Sequence, residues 1–93
     1  MMSQIPVDLG KMRKEDIDNE ILRVGIIAEN DAINLYEQMA AMASNEKIKR
    51  ILMDIAKEEK THVGEFQALL LQKDKEQERE LEQGRKEVKE KTG

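Results

Sequence analysis

Cysteine is missing from this chain of 93 residues. Its absence excludes a disulfide scaffold, a cysteine-based zinc site and a thiolate-held iron–sulfur cluster. Tryptophan is also missing, and Tyr36 and Phe66 are the only aromatic residues. With a single proline and few β-branched clusters, that scarcity argues for helices over strands. No apolar run approaches membrane-spanning length, and no leader with an apolar core is recognisable. The expectation is a soluble cytoplasmic chain with no membrane partner. Basic charge is not in excess, the net charge being −4, so bulk electrostatics give no reason to expect a nucleic-acid partner. The length allows one small domain with a thin core.

What the chain does have is helical periodicity. From Ile48 to Leu71, apolar residues recur at Ile48, Ile51, Leu52, Ile55, Ala56, Val63, Phe66, Leu69 and Leu70, the three-and-four spacing of an amphipathic helix. An earlier helix starts near Glu15, with Glu15, Asp16 and Asp18 where the macrodipole favours acids. Its apolar face runs through Leu22, Ile26, Ala32, Ile33, Tyr36, Met39, Ala40 and Ala43. Ser44-Asn45 breaks the pattern and can cap the second helix, so the two helices form an antiparallel hairpin. After Leu71 the composition turns to Lys, Glu, Gln and Arg, with Leu81 and Val88 as isolated apolar points. A break near Lys73–Asp74 is expected, then a weakly amphipathic third helix interrupted or ended near Gly84. Such a helix lies on another subunit or is partly disordered, because propensity alone does not hold it. The expected units are a flexible segment 1–13, a hairpin 14–73 and a charged helix or tail 74–93.

Polar residues interrupt both apolar faces. On the second helix the seam passes over Glu59 and His62, and on the first over Glu29. Burying such groups is costly unless something pairs with them, and a metal ion is one such partner. Glu29 lies 15 residues before Ser44 and Glu59 lies 15 after it. At the helical rise, both stand roughly 22 Å from the bend, at one level. Tyr36 sits two turns from Glu29 toward the bend, either packed in the seam or donating a hydrogen bond to the site. Glu58 and Glu65 are expected to face solvent. Di-iron carboxylate bundles use two lone glutamates and two Glu-x-x-His pairs. This chain offers one of each, Glu29 and Glu59-x-x-His62, which is half a site. Two hairpins about a two-fold axis would complete the set and supply a four-helix core. Glutamate fills 14 of 93 positions, so the Glu-x-x-His spacing alone arises by chance roughly one time in seven. The competing reading puts the two glutamates on a flank and makes His62 an ordinary buried histidine.

The run ILRVGIIAENDAINLYEQMA followed by ILMDIAKEEKTHVGEFQALLL resembles the encapsulated ferritins, a branch of the ferritin-like superfamily. The match covers about Glu20 to Leu71 closely and the remainder more loosely. The resemblance implies an all-α fold, an antiparallel hairpin plus a short C-terminal helix, with the four-helix bundle completed by dimerisation. It implies ferroxidase ligands at Glu29, Glu59 and His62 and a site-adjacent tyrosine at Tyr36. It implies an outer acidic metal site with one counterpart, Asp31, the second acidic position being Ala28. The implied activity is oxidation of Fe2+ by O2 at a di-iron site across the dimer, two Fe per dimer. The implied assembly is a ring of five dimers working with an encapsulin shell protein, in the cytoplasm within an encapsulin nanocompartment. The shell is either a separate chain or one fused to this domain. Two other classes compete: a rubrerythrin-like di-iron peroxidase, and a non-catalytic helical assembly module whose polar seam fixes register.

Overall fold

The computed structural model describes residues 8–93, and two short breaks between helices set its shape. The first helix, α1, spans Ile17–Met42, the second, α2, Glu46–Lys73, and the third, α3, Lys75–Thr92. The all-α expectation holds. The expected flexible segment falls partly on residues 1–7, outside the described residues; within the rest of it, Leu9–Lys11 forms one 3-10 turn. A second 3-10 turn, Lys14–Asp16, leads into α1, so the regular helix begins slightly later than the charge pattern suggested.

Asn45 makes the hairpin. α1 ends when Ala43 turns to extended backbone while its N–H still donates to the Met39 carbonyl. Asn45 is also extended, and its Oδ1 accepts from the backbone N–H of Lys47 at 2.9 Å and of Ile48 at 3.1 Å. Such a cap satisfies donors that a helix start leaves orphaned, and its loss typically costs about 1 kcal/mol. The bend then runs α2 back along α1. Lys60–Glu37 and Lys73–Asp18 ion pairs cross between them on the exposed side, where such pairs add little.

Only Ile33, Ala40, Ala56 and Leu70 are buried among the described residues. Ile33 and Ala56 stand almost equally far from Asn45, so a long side chain on one helix and a small one on the other share a level. Two helices can cover only one stripe of each other. The apolar seam is wider than that: Ile51 is 59% exposed and Leu69 50%, and Ile27, Leu35, Met39, Ile48 and Met53 are exposed with them.

Asp74 forms the second break, where the sequence placed it. Its backbone N–H closes α2 onto the Leu70 carbonyl at 2.8 Å, and its Oδ1 caps α3 by accepting from Gln77 N at 3.0 Å. Its other oxygen takes a guanidinium N–H of Arg23, tying the junction to α1. Beyond it, α3 projects from the hairpin: the molecule measures 47 × 43 × 20 Å, and a hairpin alone would be long in one dimension only. The interruption expected at Gly84 does not occur. α3 runs through it unbroken, because the flanking Glu, Gln, Lys and Arg are good helix formers and one glycine costs only about 1 kcal/mol. No helix among the described residues is long and apolar enough to cross a membrane.

Candidate metal centre

Glu29 projects from the middle of α1, and Glu59 and His62 from α2 one turn apart. Residues three apart share a helix face, and the hairpin brings that face of α2 against the Glu29 face of α1. His62 Nδ1 lies 3.3 Å from Glu59 Oε2 and 3.4 Å from Glu29 Oε2. One ligand-type atom from each residue falls within 4.8 Å of the other two. Glu29 and Glu59 are mostly covered, at 21% and 18% side-chain exposure, while His62 is 45% exposed. The geometric expectation of convergence is therefore met. His62 is not the buried histidine of the competing reading, its side chain being 45% exposed.

The cluster is oversupplied with acceptors. A neutral imidazole offers one N–H, so Nδ1 can donate to at most one of two carboxylates. Glu29 Oε2 is buried and makes no hydrogen bond, a condition shared among the buried side-chain atoms of the described residues only with Asn19 Oδ1. An uncompensated acceptor of this kind costs on the order of 1–3 kcal/mol, and more when charged. Ligands bound about 2.1 Å from one cation stand roughly 3–4 Å apart around it. The spacings of 3.3 and 3.4 Å fit that geometry. Carboxylate oxygens with imidazole form a donor set suited to a divalent transition metal.

Asp31 is half-buried on α1 and is not part of the three-residue cluster, because residues two apart on a helix point to different sides. Tyr36 is half-buried toward the bend, and no hydrogen bond joins its hydroxyl to Glu29, Glu59 or His62. Glu58 and Glu65 are exposed, as expected. Glu65 also lines the open groove beside the cluster, with Glu29, His62, Phe66 and Leu69. Its three-residue offset from His62 is the sequence signal that would have placed it there.

The family model described as rubrerythrin matches residues 20–92. The chain is 64% identical over 74 residues to a ferritin-like–encapsulin shell fusion protein from Pyrococcus furiosus; the match takes in 80% of this chain and 21% of the relative, so the chain spans about a fifth of that protein's length. The chain's fold superposes on the crystal structure of an encapsulated ferritin domain from Pyrococcus furiosus with a TM-score of 0.86. That match is 53% identical and covers 100% of this chain and 97% of that one.

Proposed function

This chain belongs to the rubrerythrin family, as a domain of the encapsulated-ferritin kind, and we propose that it is one half of a ferroxidase. Two copies, paired about a two-fold axis, each contribute Glu29, Glu59 and His62. Together they reach the full complement of a di-iron carboxylate bundle, and the pair takes two Fe2+ as substrate.

The observation that carries this reading is the cluster itself: two carboxylates converging on a single imidazole, with a buried Glu29 oxygen that makes no hydrogen bond. Two cations shared between two such clusters would neutralise four carboxylates. The uncovered apolar seam at Ile27, Leu35, Met39, Ile48, Ile51, Met53 and Leu69 supports the pairing, since exposed patches of this kind mark interaction surfaces. Anionic oxygen ligands favour Fe3+ over Fe2+ by simple charge, so the donor set favours oxidation. With O2 as acceptor the balance is two Fe2+, one O2 and two protons to two Fe3+ and one H2O2. The acidic chain draws cations toward it; Asp31 serves an outer acidic entry site and Tyr36 the surroundings of the cluster. Leu81 and Val88 of α3, both exposed, serve contacts between dimers. The fused relative from Pyrococcus furiosus supports a place inside an encapsulin shell, where oxidised iron is deposited.

Anaerobic titration with Fe2+ tests the reading. One ion per chain is expected, with conversion to a dimer or larger species by native mass spectrometry. Chelation should return the smaller species. A chain that binds no Fe2+, or binds it as a monomer with unchanged assembly, sinks the shared site. The rubrerythrin match supports one second reading, with H2O2 as oxidant. Faster turnover with H2O2 than with O2 would select it.

A further inference from the structure

Gly25 occupies the interior of α1, one turn before Glu29 on the same face. A Cβ added there would stand 3.1 Å from Phe66 Cε2, 3.2 Å from Cδ2 and 3.3 Å from Cζ. Carbons at rest against each other sit nearer ~3.5–4.0 Å, so the ring lies closer to α1 than a side chain at position 25 would leave it without a shift. Phe66 in turn follows His62 by one turn on α2. The two residues therefore form the layer next to the Glu29–Glu59–His62 cluster. Phe66 also lines the groove that Glu29 and His62 share.

We propose that Gly25 is a positioning residue for the metal centre, acting through Phe66; this rests on the reading of that cluster as a metal site. By seating the ring against α1, Gly25 lets the helices approach to the separation at which Glu29 comes level with His62 Nδ1. The ring gives His62 an apolar wall on the side away from the bend. A methyl at position 25 must displace the ring by a few tenths of an ångström, and the open space beside the ring is the groove that holds the imidazole. Strain introduced one layer away is thereby delivered to the ligands.

The test is a titration of the full chain with Co2+, followed by dissociation constant and by the visible absorption of the bound ion, which reports coordination geometry. Gly25→Ala is expected to weaken Co2+ binding about tenfold, the scale seen when groups that orient metal ligands are altered, and to change the absorption bands. Adding Phe66→Leu to it relieves the clash and should restore most of the affinity and the wild-type bands, a rescue that mere loss of helix stability would not give. Should Gly25→Ala fail to fold, Phe66→Ala on the native background decides instead, with weakened binding expected at unchanged helicity. Wild-type affinity and bands in Gly25→Ala, or in Phe66→Ala where that variant decides, overturn the positioning role alone. A wild-type chain that binds no Co2+ overturns the metal centre and this inference together.

Discussion

The hairpin and α3 are both helical, but for different reasons. In α3 no residue is buried, and its interactions are local. Arg85 donates to Glu82 at 2.7 and 3.1 Å, Gln83 reaches Glu87, and Thr92 Oγ1 donates to the Val88 carbonyl. The Arg85 guanidinium holds the Glu82 carboxyl below its ordinary pKa, yet both groups are exposed and screened. α3 satisfies its polar groups within itself. The hairpin does the opposite: it packs, and it carries in its packed seam two carboxylates, of which Glu29 keeps a covered oxygen without a hydrogen bond. A helix that tolerates such groups where leucine would fit is under a constraint other than its own stability. On the proposed reading, that difference assigns the chemistry to the hairpin and leaves α3 to scaffold and assembly.

The largest effect that separates the two regions should come from the ligands. His62→Ala and Glu59→Ala are each expected to reduce aerobic Fe2+ oxidation by about a hundredfold or more, since altering groups that merely orient metal ligands already costs about 10- to 100-fold, with helicity unchanged by circular dichroism. An unaltered oxidation rate in either variant removes that residue from the site. Glu29→Leu sharpens the point through stability. Replacing a mostly covered, poorly satisfied carboxylate with an apolar group should stabilise the metal-free chain by about 1 kcal/mol, while abolishing the rise in melting temperature on adding Fe2+ anaerobically. A metal-free form made less stable by Glu29→Leu would mean that Glu29 is already well paired without metal.

Asp74 is the hinge of the comparison. Asp74→Ala removes the α3 cap at Gln77 N and the tie to Arg23; the cap is worth about 1 kcal/mol and the partly exposed ion pair less. Amide exchange should quicken across the first turns of α3 while Fe2+ binding by the hairpin is retained. Loss of metal binding in Asp74→Ala would show that α3 and the site are one cooperative unit.

The two breaks were legible because caps and turn residues act over two or three positions, and Asn45 and Asp74 carry their own chemistry. The convergence of Glu29, Glu59 and His62 was legible for a related reason: helices are rigid, so equal distances from one bend translate into one level. Contacts between distant positions were not. Nothing near Arg23 announces Asp74, and nothing near Gly25 announces that a ring from α2 lies on it. The width of the uncovered seam was hidden as well, since periodicity marks an apolar face without saying how much of it one partner helix covers. Gly84 was misread because glycine was weighed as a local signal, when a helix responds to the sum over its length.

Glycine gives the smallest and most discriminating contrast. A Cβ at Gly25 meets the Phe66 ring, whereas a Cβ at Gly84 meets nothing within 4 Å. Gly84→Ala therefore has only backbone consequences: alanine restricts the unfolded chain and favours the helix by up to about 1 kcal/mol. Because no residue of α3 is buried, that gain should stay in α3. Amide protection should rise around position 84, with the hairpin's melting transition unmoved. A shift of the whole transition would instead mean that α3 melts together with the hairpin, its own or that of a second copy. α3 would then be part of the folded unit that holds the site, and the division of labour drawn between the two regions would fail.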